Sequence, residues 1–137
     1  MNTDLAAQRA LDRLAEAGLQ GLSEKDRILA AVWTFAAGVG NSGFKGYFNS
    51  HRGDLAFVAP NALRRIDALA LAEIAAEANA VFGSAGPSPD LRLRRTVLAA
   101  LPASATTTFT ELDRQYHACT EDVDELLERF LAKHPEA

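Results

Sequence analysis

Cysteine, histidine and long apolar runs are all scarce in this sequence. Its single cysteine, Cys119, excludes an internal disulfide and fits a reducing compartment. No charged start followed by an apolar run of signal-peptide type opens the chain. Its most apolar window, 28–39, falls short of the roughly 20 residues that a bilayer span needs. A cytoplasmic protein with no membrane partner is therefore expected. No strict apolar–polar alternation runs through the chain either, so strands are not expected.

What is present suits one core. The 137 residues are 48% hydrophobic, enough for a single domain, 1–137, with neither metal nor disulfide. Net charge is −4, unevenly spread. Residues 1–110 hold 11 basic against 10 acidic side chains, and residues 111–137 hold 3 against 8. Such a tail can steer a basic partner or simply keep a surface helix soluble.

Helical spacing recurs along the chain. Residues 4–17 place Ala7, Leu11, Leu14 and Ala15 on one face, within an N-terminal helical segment, 1–22. Ser23 with Asp26 reads as a capping box for a helix carrying Ile28, Val32, Phe35, Ala36 and Val39. Pro60 suits the first turn of a short helix, and Leu71, Ile74, Ala75, Ala78 and Phe82 mark the next. After a Gly/Pro loop at 83–89, residues 90–101 form a short helix with Leu91, Leu93, Val97, Leu98 and Leu101 as its apolar set. The run 103–108 reads as a linker or irregular strand, and Thr108 with Glu111 as the cap of a C-terminal helix. From Leu112 to Leu131 the spacing fits one helix, or two broken near Thr120. The expected fold is all-α, a compact domain of about six or seven helices.

Residues 38–54 interrupt this pattern with five glycines, two asparagines and no helical rhythm. G-V-G-N-S-G at 38–43 superficially matches a dinucleotide-binding loop. That chemistry needs a preceding strand, and here a helix precedes. A corner between helices is the better expectation.

Few side chains suggest chemistry. Asp113, His117 and Glu121 at i, i+4, i+8 could share a helix face and hold a divalent metal, or form a solvated face. His51 and Asp54 could form a base–orienter pair in a small enzyme, though no nucleophile motif accompanies them. Cys119 lies on the apolar stripe, where a thiol is usually inert. No motif frames the basic clusters Arg64-Arg65 and Arg92/Arg94/Arg95, so direct nucleic-acid binding is not expected. Asp113, Glu121, Asp124, Glu125 and Glu128 recur at turn spacing and form the candidate acidic face. Carboxylates four residues apart stand about 6 Å apart along a helix, close to the spacing of phosphates on one strand.

The segment V-W-T-F-A-A-G-V-G-N-S-G-F-K-G-Y-F-N-S, 32–50, resembles the signature of the DNA-mimic-protein-like domain family. Asn41, Gly43, Phe44, Tyr47, Phe48 and Asn49 match in order. A-L-R-R-I-D-A at 62–68 is similar to the family's Ala-Leu-x-x-Ile-Gly-Ala, with Asp67 in place of glycine. Ser42 and Gly46 also depart from the pattern. A-E-I-A-A-E-A-N-A-V-F at 72–82 resembles the following helix, and E-L-D-R-Q-Y at 111–116 the opening of the C-terminal one. The resemblance covers about 24–133. It implies a helical, frequently dimeric domain without catalytic residues or cofactor, and in at least one member a DNA mimic. The expected function is a non-catalytic interaction domain whose carboxylates meet a basic, DNA-binding protein. An inhibitor or immunity-type protein is the close alternative, and a small metal-dependent enzyme the distant one.

Overall fold

The computed structural model describes residues 3–134. They form seven α-helices and no strand: α1 Thr3–Ala17, α2 Glu24–Phe48, α3 Ala59–Arg65, α4 Leu69–Ala80, α5 Leu91–Ala100, α6 Ala103–Ala118 and α7 Val123–Lys133. Short 3₁₀ turns follow α1 (Leu19–Gly21) and α2 (His51–Leu55).

The apolar stripe of α2 makes it the central helix, against which α1, α3, α5, α6 and α7 all pack. Ile28, Leu29, Val32, Phe35 and Val39 are buried in one contiguous cluster with side chains from α3, α4, α6 and α7. Ser23 caps α2 through Oγ, which accepts from the Asp26 amide at 3.1 Å. Only half of the capping box forms, because the Asp26 carboxylate turns instead to Arg13 at 2.7 Å and ties α1 to α2. On α1 the buried positions are Thr3, Ala7 and Ala10, with Leu11 and Leu14 half-buried; Ala15, expected on this face, is exposed.

The glycine-rich stretch turns its corner at a single residue and is helical on both sides of it. α2 runs through it to Phe48, broken at one residue, Gly43, whose φ of 70° and ψ of 179° lie where only glycine is unstrained. Helical spacing is hidden there because glycines occupy positions of close approach. A Cβ on Gly38 would sit 2.5 Å from the Tyr47 ring. Phe44 and Phe48, i and i+4, are fully buried beyond the break, each contributing about 1.5–3 kcal/mol by leaving water.

Two further expectations are corrected. Residues 103–108 are the first turns of α6, which begins after Pro102, so Thr108 lies inside the helix and donates to the Ser104 carbonyl instead of capping. Burial of Ala105 and Phe109 against the rest of the molecule overrides the weak helix propensity of the Ser/Thr run. On α5 the apolar set is partly inverted: Leu93 and Val97 are 55% and 43% exposed, while Arg94 is 0% exposed. The helix turns its arginine inward because four acceptors wait for it there. The C-terminal stretch is two helices, separated at residues 119–122, with Asp122 accepting from the Glu125 amide at 3.2 Å to start α7.

Candidate functional site

α7 is the most sharply two-sided helix. Leu127, Phe130 and Leu131 are buried, whereas Asp124, Glu125 and Glu128 are exposed. Glu125 is paired with Arg129 one turn later. Among the described residues no cation pairs with Asp124 or Glu128, which leaves two open carboxylates one turn apart. Nearby, burial raises the Tyr116 phenol above its ordinary range, helped by the neighbouring Asp124 carboxylate.

The other two candidates face inward. Asp113, on α6, accepts from the Phe44 amide at 2.7 Å. Phe44 opens the short segment beyond the break in α2, where the first amides lack an in-helix acceptor. Glu121 lies in the loop after α6 and accepts from the Ala70 and Leu71 amides at 3.0 and 2.8 Å, capping α4. The five carboxylates therefore do not form one row: three are on α7 and two serve helix starts elsewhere. Glu121 also does not share a helix face with Asp113 and His117. Among the described residues no group of three or more His, Cys, Asp or Glu side chains is placed to hold a metal ion.

The motif residues divide in the same way. Phe44, Tyr47 and Phe48 form an aromatic cluster with Phe35, Phe82 and Phe109. Asn41 lies exposed within α2, and the positive φ falls on Gly43. Asn49 ends α2, and its carbonyl and side-chain oxygens accept from Arg95 at 3.1–3.3 Å. From α6, Leu112 is buried, and the Tyr116 hydroxyl donates to the Ala36 carbonyl at 3.4 Å. The two sequence motifs, 32–50 and 111–116, thus meet across the α2–α6 contact.

His51 and Asp54 do pair, at 2.9 Å, but the imidazole is largely exposed above an open depression. The other Asp54 oxygen accepts from Arg94 at 2.9 Å. Arg94 also donates to the carbonyls of Phe48, Ser50 and Ser88 at 2.6–2.7 Å. It thereby closes the C-terminal end of α2, a structural role that sequence reading missed. Its only sequence signal is its place three residues after Leu91 and four before Leu98, on the inward face. Arg65 likewise pairs with Glu24, so each basic cluster gives one arginine to an intramolecular ion pair.

A family model, DMP19-like protein, matches residues 20–134. The chain belongs to the DMP19-like protein family. No curated protein and no solved structure matches it. The DMP19-like region takes in α2 to α7 and leaves all of α1 outside, where Arg13–Asp26 and the Trp33 indole, donating to Asp4 at 3.2 Å, hold it. One departure from the family pattern has a structural counterpart. Asp67 has φ 67°, the one positive value at a non-glycine among the described residues. It follows α3 in a paired-bond helix ending: Ala68 N–H donates to Leu63 O at 2.9 Å, and Asp67 N–H to Arg64 O at 3.0 Å. Glycine is the usual residue at that position.

Proposed function

We propose that this DMP19-like chain is a non-catalytic interaction domain that presents α7 to a basic, DNA-binding protein, acting as a DNA mimic. The observation that carries the reading is the pair Asp124 and Glu128, exposed and without a cation partner among the described residues, on a helix anchored by Leu127, Phe130 and Leu131. Four residues of helical rise separate the two by about 6 Å, a phosphate-like interval held rigidly. Glu125 adds charge although Arg129 offsets it. Asp113 and Glu121 leave the binding set and become supports for α2 and α4. Covering a DNA-binding face would make the protein an inhibitor of its partner, so the inhibitor reading is the same act seen from the other side.

The reading places the protein in the cytoplasm, in keeping with a single cysteine, and a homodimer would carry twice the net charge of −4. Among the described residues no helix is long and apolar enough to cross a membrane. The test is capture of a DNA-binding protein from the native cell by the wild-type chain and by an Asp124→Lys/Glu128→Lys variant. The variant is expected to lose it, and equal capture overturns the proposal.

A further inference from the structure

A second face of the molecule has the opposite chemistry. Between the end of α2, α5 and the start of α6 lies an open cavity of about 360 Å³, within the roughly 300–1,000 Å³ range of small-molecule sites. Its lining joins two cations, Lys45 and Arg95, to the apolar side chains of Leu98, Leu101 and Phe109. No carboxylate lines it. Among the described residues neither cation has an ion-pair partner. Positive charge without a counter-charge, beside apolar surface, is an arrangement that an anion with an apolar body would complete.

Arg95 is also held in place. Its Nε donates to the Asn49 carbonyl and side-chain oxygens at 3.3 and 3.2 Å, and its Nη2 to the same carbonyl at 3.1 Å. Nη1 has no acceptor among these bonds, so the guanidinium keeps donors to offer. Fixing the arginine before a ligand arrives lowers the entropy lost on binding. The reason for Asn49, an exposed member of the sequence motif, then becomes plain: it positions Arg95 over the cavity. The first turn of α6, which no side chain caps, borders the same space through Pro102, Ala105 and Thr106 and adds the positive end of a helix dipole.

We infer that this cavity binds an apolar carboxylate, with Lys45 and Arg95 holding the carboxylate and Leu98, Leu101 and Phe109 receiving the apolar body. The site is separate from α7 and does not depend on the mimic reading. A free medium-chain fatty acid and a peptide ending in an apolar residue share this chemistry.

Four probes separate the possibilities: octanoate, octanol, and an acetylated tetrapeptide ending in leucine with its C-terminus either free or amidated. Each is titrated into the full chain while backbone amide resonances are followed. At least one free acid is expected to give saturable shifts at Asn49, Arg95, Ala99 and Thr106, with its uncharged counterpart about tenfold weaker or worse. Octanoate alone identifies a free acid as the ligand class, and the free-acid peptide alone identifies a chain terminus. Lys45→Gln/Arg95→Gln is expected to weaken binding about tenfold or more. Thr106→Phe, at an exposed position, fills the cavity without removing charge and is expected to block binding while leaving the melting curve unchanged. The inference is overturned if neither acid saturates, if octanol binds as well as octanoate, or if both variants bind like the wild type.

Discussion

The Asp113 carboxylate holds the Phe44 amide at 2.7 Å across 69 positions of sequence, at the point where α2 breaks. Gly43 makes the contact possible twice over: its backbone turn frees the amide, and its missing side chain leaves room. A Cβ there would stand 2.7 Å from Asp113 Oδ2. Asp113→Ala should therefore cost about 1–2 kcal/mol, as loss of a helix cap does. Gly43→Ala should cost at least as much, about 1–3 kcal/mol from backbone strain alone. Because both changes act on one contact, the double variant should cost less than the sum of the two. Urea unfolding of all three variants checks this.

Arg94 is the buried keystone of the α2 end. Its removal orphans the Phe48 and Ser88 carbonyls and takes one donor each from the Ser50 carbonyl and Asp54, which keep the Gly53 amide and His51, so Arg94→Met should destabilise by about 2–5 kcal/mol. Arg94→Lys should recover little, since an ammonium cannot match the planar fork that reaches all four acceptors. Thermal unfolding distinguishes the two variants from wild type.

Asp67 occupies the left-handed position after α3 with a φ of 67°. Asp67→Gly should raise stability by up to about 1 kcal/mol, the residual strain of an aspartate there. A lowered denaturation midpoint would contradict the reading of the α3 ending.

The Tyr47 hydroxyl is buried with no hydrogen-bond partner among the described residues. Tyr47→Phe should therefore be neutral or stabilising by about 1 kcal/mol. Burial raises the phenol well above its ordinary range, and the Arg94 charge lowers it only in part. Above the unfolded phenol's value of about 10, the unfolded chain releases a proton that the folded one retains. Stability is thus full below that value and falls as pH rises through it. Tyr47→Phe should flatten part of that decline, measured as the urea midpoint between neutral and alkaline pH.

Local signals made the all-α class and most helix starts legible. Ser23, Pro60 and the Gly/Pro loop act within a few residues: Ser23 and Pro60 stand at the starts of α2 and α3, and the loop separates α4 from α5. Misread segments depended on distant partners. Arg94 could not be recognised as interior without the carbonyls of Phe48 and Ser50, more than forty residues away. Residues 103–108 look unhelical until Ala105 and Phe109 are buried against other elements. The acidic face was half legible for the same reason. α7 shows its polarity in its own sequence, whereas the tasks of Asp113 and Glu121 are set by amides of Phe44, Ala70 and Leu71.

If the open carboxylates of α7 stand in for DNA phosphates, DNA and this chain must compete for one partner face. The most direct test is that competition. A basic protein captured by the wild-type chain is challenged with duplex DNA and, separately, with rising salt. Displacement by DNA, weakening as salt screens the charges, and loss of capture by Asp124→Lys/Glu128→Lys are predicted. A complex that persists under saturating DNA, or that forms equally well with the charge-reversed variant, would contradict the mimic reading.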